Sequence, residues 1–96
     1  MTSEGLLREA ETLRERVLQE RRELHRHAET GFELKETLPF VKSELTGMGL
    51  RPVECGRAGL VALVGGKKPG KVFLLRADMD GLPIREESGV DFACPN

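Results

Sequence analysis

The chain has 96 residues, room for one domain, and a domain of that size buries only roughly 60–65% of its unfolded surface. Acidic and basic residues nearly cancel, 16 against 15, so no global field draws it to nucleic acid or to an anionic membrane. Trp and Tyr are absent and there are four Phe, which argues against a base-stacking platform; no apolar run approaches the ~20 residues of a membrane span. Cys55 and Cys94 form neither a CxxC pair nor a disulfide framework, and the charged N-terminus is unlike a signal peptide, so a cytoplasmic location is expected.

From about residue 4 to residue 26 the chain is charge-rich, with Leu6, Ala10, Leu13, Val17 and Leu24 forming one narrow apolar stripe on a helix. Glu4 and Arg8 are a favourable i,i+4 pair, whereas Glu11–Glu15 and Arg22–Arg26 repel. Leu34, Leu38, Val41, Leu45 and Met48 define a second helix. Pro39 belongs near its first turn, where a missing N–H is tolerated, and Gly47 and Gly49 supply a stop.

Beyond Leu50 the pattern changes to strands. Residues 51–54 are a short candidate strand, Cys55-Gly56-Arg57 a turn, and the apolar run 59–64 a central strand. The glycine-rich stretch 65–70 then joins it to a strand over 71–77, most simply as an antiparallel hairpin. Residues 89–93 are a further short strand. The fold class read from this order is α/β, with two N-terminal helices packed on a small mixed or antiparallel sheet.

The stretch Val72-Phe73-Leu74-Leu75-Arg76-Ala77-Asp78-Met79-Asp80-Gly81-Leu82-Pro83 carries the most information. Four apolar residues end abruptly in Arg76, Asp78 and Asp80, then Gly and Pro break regular structure. Strands that deliver charge at their carboxyl ends build ligand crevices in α/β proteins, and the competing reading is an ion pair closing a sheet edge.

Other motifs carry less. Gly65 to Lys71 has phosphate-loop spacing, but Val72 replaces the magnesium-holding Ser or Thr and no helix follows. His25 and His27 are two apart on a helix and point in different directions, so each reads as a capping or packing residue. Arg21, Arg22 and Arg26 are interrupted by Glu20 and Glu23, the pattern of a solvated face. Cys94 reads as a small packing residue.

Arg21-Arg22-Glu23-Leu24-His25, Glu29-Thr30-Gly31-Phe32-Glu33, Thr37, Gly49, Gly59-Leu60-Val61-Ala62, and Arg76-Ala77-Asp78-Met79-Asp80-Gly81-Leu82-Pro83-Ile84 with Glu86 stand in one familiar order. This order resembles the start of the hippurate hydrolase and N-acyl-amino-acid amidohydrolase group, among the aminoacylase and carboxypeptidase G-like zinc metallopeptidases. Ala28 stands where that group usually has Pro, and Gly81 where Ala is common. The resemblance implies that residues 1–96 are the incomplete N-terminal part of a larger zinc-peptidase-like α/β catalytic domain. The complete enzyme would cleave the amide of a small N-acyl amino acid by metal-activated water, using two divalent ions such as zinc or manganese.

In such enzymes a His-Ala-Cys-Gly-His-Asp segment and a later Glu-Glu pair supply ligands and the general base. None of these lies within the 96 residues, so no metal is expected on this chain and activity is not expected from it alone. In more distant relatives the strand ends in His-x-Asp, whose His binds metal; here Arg76 takes the His position, and a guanidinium cannot ligate. Asp78 is therefore the first site candidate, with Asp80 and Arg76 behind it. The alternative function is a free-standing, non-catalytic interaction module that uses the charged N-terminal helix. Neither nucleic acid nor membrane is expected as a partner, and a homodimer or other self-association is.

Overall fold

The computed structural model describes residues 2–66 and 68–95. In chain order these form α1 (Ser3–Thr12), α2 (Arg14–Arg26), α3 (Thr37–Gly47), β1 (Val53–Cys55) and β2 (Gly59–Val61). The α/β class therefore holds, as three helices and a two-stranded antiparallel sheet. The chain divides into two compact units, one combining the N-terminal residues up to His27 with the segment from Arg85, the other spanning Ala28–Ile84.

In the first unit the helix expected over 4–26 is interrupted at Leu13. Thr2 caps α1, its Oγ1 accepting from the Gly5 amide at 3.0 Å, and Glu4 in the first turn suits the helix dipole. The other end of α1 has no basic residue. There Thr12 Oγ1 donates to the Glu9 carbonyl at 2.6 Å, an internal competitor to the helical ladder, and an unbroken helix would set Glu11 and Glu15 as like charges at i,i+4. The ladder closes on Leu13, whose amide donates to Ala10 O at 3.1 Å, and α2 begins at the next residue. Along α2, Arg16–Glu20 (3.3 Å) and Arg26–Glu23 (3.0 Å) are ion pairs on an exposed face. No side chain of α1 or α2 is buried.

The second unit is organised by α3. Leu34 and Thr37, 7% and 4% exposed, are the buried residues among those described, and both lie at its N-terminal end. Pro39 falls in the first turn, as its missing N–H requires. The C-terminus closes by a Schellman pattern, with Gly49 N donating to Thr46 O and Leu50 N to Leu45 O. Gly49 takes φ +86°, a conformation that costs a side-chain-bearing residue energy and costs glycine little. β1 and β2 pair in the register Val53↔Val61, Glu54↔Leu60 and Cys55↔Gly59, and α3 lies against β2. Gly59 is required by close approach, because a Cβ there would sit 2.6 Å from Cys55 O.

Several strand expectations are corrected. The hairpin joins 53–55 to 59–61, not 59–64 to 71–77, and strand structure stops at Val61. Residues 71–77 and 89–93 are not strands; of the predicted 65–70 connection, Lys67 lies outside the described residues. The physical reason is pairing. A strand is stabilised through its neighbour's backbone and cross-strand side chains, and no described segment pairs with 71–77. Val72, Phe73, Leu74 and Leu75 are consequently 84 to 95% exposed. Among the described residues no helix is long and apolar enough to cross a membrane.

Candidate functional site

The three residues singled out by sequence lie in the second unit. Arg76 Nη2 donates to Asp78 Oδ1 at 2.8 Å, and the two side chains are 81% and 67% exposed. An ion pair that wet contributes at most about 1 kcal/mol, so its local effect is to hold Arg76 and Asp78 together rather than to stabilise the unit. Asp78 and Asp80 are exposed on either side of the half-buried Met79. No hydrogen bond or ion pair of Asp80 is found among the described residues. Immediately beyond, the Gly81 amide donates to the Glu29 carbonyl at 2.6 Å, and Ile84 N donates to Leu82 O at 2.8 Å, tightening the turn at Pro83.

Glu29 is the junction of this unit. Besides its carbonyl bond to Gly81, its carboxylate accepts from the Glu36 amide at 3.0 and 3.1 Å and from the Thr37 amide at 2.7 Å. These are donors at the start of α3, which the helix itself leaves unsatisfied. Partial burial pushes the Glu29 carboxyl up. The amides of Thr37, Glu36 and Lys35 and the facing Thr37 hydroxyl outweigh that, and its pKa is held below the ordinary value. The Thr37 Oγ1 faces the carboxylate without meeting hydrogen-bond geometry and is a buried polar atom lacking a partner.

A second junction lies in the first unit. Glu86 Oε1 is 2.8 Å from His25 Nε2 and accepts from the Cys94 amide at 3.0 Å, while Glu86 Oε2 accepts from the Ser88 hydroxyl. Ser88 foremost, then the Cys94 amide, and with a smaller part from His25, hold the Glu86 carboxyl below its ordinary pKa against a modest desolvation. The His25 ring meets Phe92 edge-on at 5.9 Å, and the Arg22 guanidinium lies 4.9 Å over the same ring. His27 pairs instead with Glu23 at 3.2 Å, so the two histidines serve different carboxylates.

Local spacing does not single out Glu29 or Glu86: apart from Ser88, two residues from Glu86, their side-chain partners lie seven, eight and 61 residues away. One signal was available for Glu29. The position before α3 is Glu36, a poor N-cap without a side-chain capping bond, so an outside acceptor is required.

Among the described residues no group of three or more His, Cys, Asp or Glu could hold a metal ion. The described side chains do not fit a metal centre, which needs about three protein ligands. Neither cysteine is in a disulfide; Cys55 is exposed and Cys94 half-buried.

No protein-family model matches the chain, and no solved structure matches it. Over its whole length, 97 aligned residues, it is 37% identical to an N-acyl-L-amino acid amidohydrolase of Geobacillus stearothermophilus, of which it covers 26%. Over 78 residues, 80% of its length, it is 41% identical to a Rhodococcus jostii (strain RHA1) protein provisionally named glutamate–cysteine ligase 2-3, of which it covers 10%. The chain thus spans about a quarter or less of the length of these two relatives. The two names describe different activities. The first match takes in all of this chain, and the second leaves nine tenths of its protein outside the comparison.

Proposed function

We propose that the chain is the opening part of the catalytic domain of an amidohydrolase that cleaves the amide bond of N-acyl amino acids. The observation that carries this reading is the 37% identity to an N-acyl-L-amino acid amidohydrolase over the full chain. The ordered run of motifs that ends in Arg76-Ala77-Asp78-Met79-Asp80-Gly81-Leu82-Pro83 supports it. The two divalent ions that such an enzyme would use are assigned to residues outside these 96.

Within the chain, Asp78 is the residue proposed to face the reacting groups. Its carboxylate is an acceptor that can orient a hydrogen-bond donor of the site, and Arg76 at 2.8 Å fixes one of its oxygens and leaves the other available. Asp80, exposed beside it, is assigned a lesser part. The alternative, a non-catalytic interaction module, draws on the exposure of Leu6, Leu7, Leu13 and Val17 along α1 and α2. It predicts a partner-dependent role that survives loss of both aspartates.

The test is hydrolysis of N-acetyl and N-benzoyl amino acids by the encoded protein, carried as far as its reading frame runs. Release of the free amino acid, lowered by Asp78→Asn, supports the amidohydrolase. A folded, metal-supplemented protein that releases none overturns it.

A further inference from the structure

Glu29 holds two parts of the second unit at once. Its carboxylate takes the Glu36 and Thr37 amides at 2.7 to 3.1 Å, which ties it to the start of α3. Its carbonyl takes the Gly81 amide at 2.6 Å, one residue beyond Asp80 and three beyond Asp78. A Cβ built on Gly81 would stand 3.4 Å from Ala28 Cβ and 3.6 Å from Glu29 O, so the two segments approach to ordinary van der Waals contact there. Apart from this anchor, the aspartates sit on a segment without strand pairing, where Arg76 and Asp78 are both exposed. The carboxylate contacts and the carbonyl contact belong to one residue, so the start of α3 and the turn at Gly81 meet at Glu29.

We propose that Glu29 is the positioning residue of the Asp78–Asp80 segment, transmitting the fixed start of α3 to the turn that presents the two carboxylates. The proposal rests on the reading of Asp78 as a site residue, and it assigns Glu29 no contact with substrate. A displacement of about 1 Å in a site group costs on the order of a hundredfold in rate, so a slack anchor is felt in turnover before it is felt in binding.

The test uses the full encoded protein and three variants, Glu29→Ala, Glu29→Gln and Asp78→Asn, with turnover of an N-acetyl amino acid and amide exchange over residues 78–84 as readouts. Glu29→Ala should lower kcat about ten- to a hundredfold, leave KM within about twofold, and speed exchange over 78–84. Glu29→Gln keeps an acceptor oxygen and should restore most of both. If Asp78→Asn lowers turnover while Glu29→Ala changes neither kcat nor exchange over 78–84, the positioning role is overturned and the site reading stands. If Asp78→Asn leaves turnover intact, the site reading falls, and exchange over 78–84 alone decides the role of Glu29. Exchange that quickens equally throughout the protein in Glu29→Ala makes the residue a general stabiliser and overturns the proposal as well.

Discussion

Replacing Glu29 by Ala removes the acceptor for two amides at the N-terminus of α3 in one step. Truncating a helix N-cap costs about 0.5–2 kcal/mol, hydrogen bonds to a charged group about 1.5–3 kcal/mol each, and a carboxylate on the dipole about 0.3–1 kcal/mol. These overlap, and the carboxylate is half-exposed, so a net loss of about 1–2 kcal/mol is expected rather than their sum. In a domain this small that corresponds to a melting point lowered by roughly 5–15 °C. The effect carries a pH signature. The folded pKa of Glu29 lies below the ordinary 4.5, so the unfolded chain binds the proton more readily than the folded one. The stabilisation is therefore complete above the unfolded value and is lost as pH falls through the folded value. Urea unfolding followed at 222 nm should show the full gap between wild type and Glu29→Ala at pH 7, closing in acid as the carboxylate takes up its proton. Amide exchange at Glu36 and Thr37 should localise the loss to the start of α3. Glu33→Ala, an exposed glutamate four residues along, is the control. A gap below about 0.3 kcal/mol at pH 7, or one that persists unchanged in acid, would refute the clamp.

In the encoded protein, Asp78→Asn should cut turnover by ~10–100-fold with the melting point unchanged, the range seen when a supporting hydrogen-bond partner of a site is lost. Asp80→Asn should do less to turnover and leave the melting point unchanged too, since Asp80 is exposed; the reverse order in turnover would exchange their roles. The 96-residue chain should bind zinc or manganese no better than adventitiously, and calorimetry showing stoichiometric tight binding lost on mutating His25 or Cys94 would contradict that. Val72 to Leu75, 84 to 95% exposed, should bind an apolar dye and drive self-association of the isolated chain, both reduced by Leu74→Lys. A dye-silent monomer at high concentration would count against it.

Much of α3 was legible because its determinants are local. Leu34 to Met48 repeat at helical spacing, Pro39 can sit only in a first turn, and Gly49 at φ +86° ends the helix where the pattern stops. The break at Leu13 was half visible. The Glu11–Glu15 repulsion is written in the sequence, while the bond from Thr12 to Glu9 O emerges only once a helix exists. Residues 71–77 show the opposite limit. Their composition is that of a buried strand, but composition does not supply the neighbouring backbone that makes an extended segment a strand, and none is paired with them among the described residues. The site divides in the same way. Arg76 and Asp78 are two residues apart and meet as their charges demand, whereas the contacts of Glu29 with the Thr37 amide and of Glu86 with His25 span eight and 61 residues, which no spacing rule names.

Amide hydrolysis is measured by following amino-acid release from N-acetyl and N-benzoyl amino acids by the encoded protein supplied with zinc or manganese. Release is expected, and Asp78→Asn should slow it ~10–100-fold without unfolding the protein. No release from a folded, metal-supplied protein, or release indifferent to Asp78, would contradict it.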